Sequence, residues 1–314
     1  MTRAKLFSGI LISICFGLFL SACSNGESES KDTKKEEVRT ATDAMGEVTI
    51  PANAERILAP NMEDSLLALG ITPPAQWAIG TTVHNYLQPQ LKDVPTIEWD
   101  LPLEQTINAK PDIIIFGSPG SIQNGKYEEY KKIAPTYVFK EEESADWRKQ
   151  LQVMGEIAGK EKEAKAVLED YDAKTKEQAA ELKTAIGDET AAILWVIGKQ
   201  YYLFENSRFA ANVLYTDLGV TQPEMIKALP KAEAAWNPIS LEALSDLDAD
   251  HIFLASLPNE PGLASLKASS VWKGLPAVKA GKIYEMEDPS NWTSNGPIAN
   301  NITMDQIVSV ITKK

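Results

Sequence analysis

Residues 103–115 read LEQTINAKPDIII, and residues 241–254 read LEALSDLDADHIFL. In both, a Leu-Glu pair is followed, eight residues after the glutamate, by an aspartate, Asp112 or Asp250. An apolar run comes next: Ile113-Ile114-Ile115 in the first unit, Ile252-Phe253-Leu254 in the second. Continuous apolar runs of this length suit parallel strands buried on both faces. Each unit predicts a short helix carrying an early glutamate, a turn and a buried strand, and the two repeat at an offset of 138 residues. Alternating helices and strands imply three-layer α/β packing with mostly parallel sheets. The repeat implies two related lobes.

The segment between the repeats supplies the connection. Over 146–186 the apolar positions Leu151, Met154, Ile157, Ala158, Ala164, Val167, Leu168 and Tyr171 follow a helical period, with Gly159 a candidate interruption. A periodic helix much longer than ~25 residues needs a role such as bridging two domains. Upstream, Arg56-Ile57-Leu58-Ala59 reads as a short strand. Residues 61–64 can cap a helix over 65–69, which Gly70 and the prolines at 73 and 74 end. The expected organisation is an N-terminal lobe over 46–145, an interlobe helix over 146–186 and a C-terminal lobe over 187–314.

The first residues read as an address. Arg3 and Lys5 precede an apolar run over 6–20, shorter than the ~20 residues that span a bilayer, so 1–22 is expected to be a signal peptide. Leu20-Ser21-Ala22-Cys23 resembles the bacterial lipoprotein signal, in which the cysteine is acylated and becomes the first mature residue. Residues 24–37 contain no large apolar side chain, and 23–45 is expected to be a lipid-anchored, disordered tether.

Composition removes several functions. Acidic side chains outnumber basic ones 44 to 31, giving a formal net charge of −13 that repels nucleic acid. The chain has two histidines, His84 and His251, and two cysteines, Cys15 and Cys23, too few for a clustered zinc site or a disulfide framework. No phosphate-loop, dinucleotide, nucleophile-elbow or zinc-protease motif occurs. Asp246, Asp248 and Asp250 alternate like calcium-loop ligands, but His251 and Leu257 stand where such a loop needs Gly and Glu. Those aspartates are expected at a helix end and a strand start. His251 and Trp195, both in strands, are expected to pack.

Several motifs in order then resemble one family. Cys23, Arg56-Ile57-Leu58-Ala59-Pro60-Asn61, Leu69-Gly70-Ile71, Leu103-Glu104 with Lys110-Pro111-Asp112-Ile113-Ile114, and Gly155-Glu156-Ile157-Ala158-Gly159-Lys160 resemble the iron–siderophore and cobalamin substrate-binding proteins of ABC importers. The resemblance runs from about residue 48 to the C-terminus. It implies two α/β lobes joined by one rigid helix, a ligand cleft between them, and no catalytic activity. It also implies that one surface glutamate per lobe, Glu104 and Glu242, docks on arginines of the membrane permease. By the same likeness, Tyr86 and Trp99 belong to N-lobe cleft loops. Tyr202, Phe204 and Arg208 follow the first C-lobe strand, Trp236 precedes the docking helix, and Trp292 lies in a late Asn/Ser-rich loop.

Arginine usage bears on the ligand. After Cys23 the chain carries four: Arg39, Arg56, Arg148 and Arg208. The first three lie at the tether, a strand start and the long helix, which leaves Arg208 as the expected cleft arginine, with lysines such as Lys199 still open as further cleft cations. Polyanionic catecholates and citrates call for a cluster of cations, whereas a ferric hydroxamate suits aromatic walls with one arginine. The expectation is a lipid-anchored monomer on the extracellular face of a Gram-positive cell membrane. It would bind a ferric hydroxamate siderophore, need no cofactor because iron arrives already coordinated, and hand its ligand to an ABC permease driven by a cytoplasmic ATPase. The alternatives are a same-fold binder of haem or a corrinoid and, from another class, a surface-anchored hydrolase. Haem would call for an axial His, Met or Tyr; none is convincingly placed, and Met62 and Tyr86 stay open as candidates.

Overall fold

The apolar runs become strands whose alternate residues enter two different cores. The computed structural model describes residues 38–313 apart from 53 and 232–235. In chain order the strands are β1 (Val38–Asp43), β2 (Gly46–Pro51), β3 (Ile57–Leu58), β4 (Gln76–Ala78), β5 (Thr96–Glu98), β6 (Ile113–Phe116), β7 (Thr136–Val138), β8 (Ala191–Ile197), β9 (Gln200–Leu203), β10 (His251–Ala255) and β11 (Ile283–Met286). In the N-lobe, β3, β6 and β7 make a parallel sheet with β6 central, and β4 pairs in parallel with β5. In the C-lobe the order is β11-β10-β8-β9, parallel except for β9, which returns as a hairpin on β8.

All four residues of β6 are buried. Ile113 and Ile115 join the large core that holds Met62, Leu66, Leu151 and Met154. Ile114 and Phe116 face a second core with Leu58, Leu101, Tyr130 and Val138. A sheet covered on both faces needs such a run, because the period-2 alternation sends neighbouring side chains to opposite layers.

The repeated aspartates have a structural task. Asp112 Oδ2 accepts the N–H groups of Glu55 and Arg56, each at 2.9 Å, at the start of β3. Asp250 Oδ2 accepts the Thr190 N–H at 2.8 Å and the Thr190 hydroxyl at 2.9 Å, just before β8. In each lobe a carboxylate ahead of one strand satisfies donors at the start of the parallel strand beside it. The units differ in their helices. The first has a helix, Leu103–Ala109, but the helix expected in the second is a single 3-10 turn, Ala243–Asp246. Asp246, Asp248 and Asp250 would crowd negative charge at the carbonyl end of a longer helix, where it is unfavourable.

The expected interlobe helix over 146–186 is two helices, Trp147–Ala158 and Glu161–Ile186. Asp146 caps the first by accepting the Arg148 N–H. Gly159 ends it in the left-handed conformation (φ 66°) that glycine adopts without strain. Gly155 is equally required, since a Cβ there would lie 2.8 Å from that of Ala164. The 26-residue second helix runs between the lobes. The C-terminal helix, Pro297–Thr312, packs along it and against the N-lobe helix Glu63–Ala68. The C-terminal segment therefore touches both lobes rather than the C-lobe alone.

A strand also lies ahead of the expected N-lobe boundary. Residues 38–43, assigned above to the tether, pair with β2 as an antiparallel hairpin. Its turn clasps the edge of β7: Asp43 Oδ2 accepts the Val138 N–H at 2.8 Å, and the Ala44 N–H donates to the Val138 carbonyl at 3.0 Å. Residues 1–37, with the signal segment, Cys23 and the rest of the tether, lie outside the described residues. Among the described residues no helix is long and apolar enough to cross a membrane.

Removing the strand-start carboxylate should be measurable. Asp250→Ala leaves two donors of Thr190 without their acceptor and is expected to lower stability by about 1–3 kcal/mol. Urea unfolding should show a lower midpoint with an unchanged slope.

Candidate functional site

A cavity of about 410 Å3 opens between the lobes at the C-terminal ends of the N-lobe strands. Trp77 of β4, Trp99 just after β5, and Phe116 and Gly117 at the end of β6 bring strand ends to it. Asn61, Glu63 and Asp64 form part of its floor, His84 and Tyr86 come from the turn beyond β4, and Trp147 and Gln150 from the first interlobe helix. The C-lobe contributes Phe209 and residues 293–295. This is the crevice beyond the carboxyl ends of parallel strands where open α/β sheets bind ligands.

The walls are aromatic and their polar groups are largely uncharged. Trp77 and His84 stack with ring centroids 4.9 Å apart, and His84 Nε2 bonds to Asn61 Oδ1 at 2.9 Å. Burial lowers the imidazole to about 4, so it is neutral in the physiological range. Burial works oppositely on the carboxyls. It lifts Glu63 to about 7 against the opposing Trp77 N–H, which Glu63 Oε1 accepts at 2.7 Å. It lifts Asp64 to about 6 although that carboxyl accepts two N–H groups. Glu63 Oε2 is buried and, among the described residues, has no hydrogen-bond partner. Burial also raises the Tyr86 phenol well above its usual value. No Lys or Arg is among the described residues lining the cavity.

The residues expected in the cleft divide. Tyr86 and Trp99 line the cavity, and Trp99 is 49% exposed. Tyr202, Phe204 and Trp236 instead form a C-lobe aromatic cluster: Trp236 lies 5.7 Å from Tyr202, 4.9 Å from Phe204 and 4.9 Å from Trp195. The cluster reaches the cavity through Phe209, 6.0 Å from Trp236. Phe204 is fully buried.

Two expected residues are not among those lining the cavity. Arg208 is buried, forms a two-pronged ion pair with Glu205, and lies 4.2 Å over the Trp236 ring. A guanidinium taken out of water needs such a partner, and Glu205 is one helical turn away in sequence. Trp292 is fully buried in the C-lobe core, 5.5 Å from Phe253, and its indole N–H donates to Gln306 at 2.8 Å. Its neighbours at 293–295 wall the cavity in its place.

The other arginines are engaged too. Arg56 donates to the carbonyls of Ala109 and Lys110, and Arg39 to that of Ile157. Arg148 lies over the touching rings of Trp147 and Tyr171, 4.8 Å from each centroid. Glu104 and Glu242 are exposed and away from the cavity, each at the start of its lobe's helix or turn. His251 is buried and bonds to Glu189 and Tyr284.

Sequence reasoning missed Phe209 and Trp147. Phe209 takes φ 42°, ψ −117°, a costly backbone for a bulky residue, and its side chain faces the cavity. Nothing in a sequence marks such a phenylalanine. Trp147 was legible only as the first residue of a helix.

Ser294 Oγ lies 3.4 Å from His84 Nδ1, with Asn61 on the ring's other nitrogen, an outline resembling a hydrolase triad. The hydroxyl donates to the Ser290 carbonyl at 2.7 Å, and an imidazole near 4 is too weak a base to activate it. Among the described residues no cluster of His, Cys, Asp and Glu could hold a metal ion.

The family of periplasmic binding proteins matches residues 57–289, and the chain belongs to it. Among its relatives is the "Probable siderophore-binding lipoprotein YfiY" of Bacillus subtilis, 29% identical across 98% of this chain and 99% of the relative. The "Iron(3+)-hydroxamate-binding protein FhuD" of the same organism is 29% identical across 99% and 97%. A crystal structure of an FhuD fold-family protein from B. subtilis, a periplasmic binding protein component of a Fep/Fec-like ferrichrome ABC transporter, superimposes with a TM-score of 0.74. That structure is 26% identical and covers 87% of this chain and 100% of its own.

The raised Glu63 carboxyl predicts a pH signature. A folded value near 7 against an unfolded one near 4.5 means the native state holds a proton that the unfolded state releases, so stability falls as pH rises between them. Glu63→Gln removes that loss. The variant should exceed wild type by on the order of 3 kcal/mol at about pH 8 and match it near pH 5. His84 titrates in both proteins and cancels in the difference. Urea unfolding at the two pH values measures it.

Proposed function

We propose that the protein is a lipid-anchored, extracytoplasmic substrate-binding protein that captures a ferric hydroxamate siderophore between its lobes and delivers it to an ABC importer. The observation that carries this reading is the cavity. It offers Trp77, Tyr86, Trp99 and Trp147 as walls and neutral polar groups such as Gln150 and Asn295, with no lining cation among the described residues. A polyanionic catecholate or citrate complex would bury charge there without a counterion, at high cost. A neutral or weakly cationic hydroxamate complex would not. The names of the two B. subtilis relatives, siderophore-binding and hydroxamate-binding, agree with this.

In this reading the site works by binding, and no bond in the ligand is made or broken. Iron is cargo, wrapped by the siderophore, and needs no ligand from the chain. Glu104 and Glu242, one exposed carboxylate per lobe, dock on cationic groups of the permease. Transport energy comes from ATP hydrolysis by partner subunits, and acylated Cys23 keeps the protein at the outer face of the membrane.

Intrinsic tryptophan fluorescence, titrated with ferrichrome, ferrioxamine B, a ferric catecholate, ferric citrate, haemin and cobalamin, tests the ligand class. Saturable quenching is expected with the two hydroxamates and little response with the anionic complexes. Tight binding of the catecholate or citrate alone would overturn the assignment. Trp99→Ala should weaken hydroxamate binding about tenfold. The double change Glu104→Ala, Glu242→Ala should leave that affinity unchanged and abolish cellular uptake of radiolabelled iron–siderophore; sustained uptake would refute the docking role.

A further inference from the structure

The cavity's C-lobe wall is held by a carboxylate from the other lobe. Asp64, on the N-lobe helix Glu63–Ala68, is 4% exposed. Its Oδ1 accepts the Ile298 N–H at 2.9 Å and its Oδ2 the Ala299 N–H at 2.8 Å. Those amides open the 16-residue C-terminal helix, whose first N–H groups have no partner within the helix and carry the positive end of its dipole. The fit excludes any side chain at Gly296, where a Cβ would stand 2.5 Å from Asp64 Cγ.

Two neighbouring contacts cross between the lobes alongside. The Tyr86 N–H donates to Ser290 Oγ at 3.1 Å, and Ser294 Oγ lies 3.4 Å from His84 Nδ1. Residues 293–295, which wall the cavity, lie between these contacts and the capped helix start.

We propose that Asp64 is an interlobe positioning residue: by capping the C-terminal helix from the N-lobe it sets residues 293–295 against the cavity and thereby tunes ligand affinity. This rests on the reading of the cavity as the siderophore site. The carboxylate needs both oxygens as acceptors, so protonating one breaks half of the cap. Burial brings that event to about pH 6. The titratable groups around it are Glu63 on its own helix, the Tyr86 phenol, and His84 across Ser294. Affinity should therefore weaken in mildly acidic medium without any change in the ligand.

Ferrichrome is the probe, because it is neutral and has no group that titrates between about pH 5 and 8. Its dissociation constant, followed by tryptophan fluorescence, should rise about tenfold for wild type from pH 7.5 to 5, a coupling of ordinary size. Asp64→Asn should be about tenfold weaker at pH 7.5 and lose most of the slope, with the double change Asp64→Asn, Glu63→Gln flat across the range, whereas Glu63→Gln alone should keep most of the slope. Gly296→Ala, which pushes on the intact carboxylate from the other side, should weaken binding similarly at pH 7.5 and serves if the Asn variant does not fold. Wild-type affinity or an undiminished pH slope in Asp64→Asn would overturn the proposal.

A ligand-free measurement separates this from the functional reading. Hydrogen exchange over residues 293–300 should quicken about tenfold in Asp64→Asn while the rest of the C-terminal helix keeps its protection. If no siderophore binds wild type, the functional reading fails and exchange still decides the cap. Unchanged exchange refutes it.

Discussion

A guanidinium set against a pair of touching aromatic rings joins the parts on which the cavity depends. Arg148 lies 4.8 Å from the ring centroids of Trp147 and Tyr171, which meet edge-on at 4.9 Å, and it pairs with Asp172 at 2.6 Å and reaches Asp217 at 3.7 Å. Tyr171 donates to the same Asp217 at 2.7 Å. Trp147 and Arg148 precede the helix break at Gly159, Tyr171 and Asp172 follow it, and Asp217 belongs to the C-lobe. One charge thus ties both interlobe helices to the C-lobe while its neighbour Trp147 forms cavity wall. Cation–π contacts shielded from water reach ~2 kcal/mol each, and here they act where the chain passes from lobe to lobe.

The charge state of the cavity follows from burial rather than from neutralising partners. Burial depresses the imidazole to neutrality and lifts Glu63 to about 7, so both tend to shed charge, while Asp64, lifted to about 6, keeps its charge at the helix start near neutral pH. The four arginines among the described residues are spent elsewhere. Arg39 and Arg56 bind backbone carbonyls, and Arg148 and Arg208 face acids. Such a site discriminates through shape, stacking and neutral hydrogen bonds.

The architecture was legible because it rests on runs and spacings. Ile113-Ile114-Ile115 and Ile252-Phe253-Leu254 can be buried on both faces in a parallel sheet, and the aspartate before each run marked a recurring strand start. The site was less legible because it depends on single-residue geometry. Trp292 and Thr293 are adjacent, yet one fills the core and the other meets the cavity, a distinction set by where the C-terminal helix is held. The pairing of Arg208 was within reach, since Glu205 stands three residues before it. The strand at 38–43 was also readable, as Gly46 and the pattern on either side of it suit a hairpin, but the acidic and lysine-rich stretch ahead drew the boundary too late. No sequence pattern announces the backbone of Phe209.

The leading hairpin has a consequence beyond its own stability. Val138 lies on β7, the outer strand of the N-lobe sheet, and outer strands present unpaired amides and carbonyls that invite a strand from another molecule. Here Asp43 takes the amide and Ala44 the carbonyl. The chain closes that side of its sheet with the turn of its own hairpin. Wherever copies of the protein are concentrated, this closure guards against edge-to-edge aggregation.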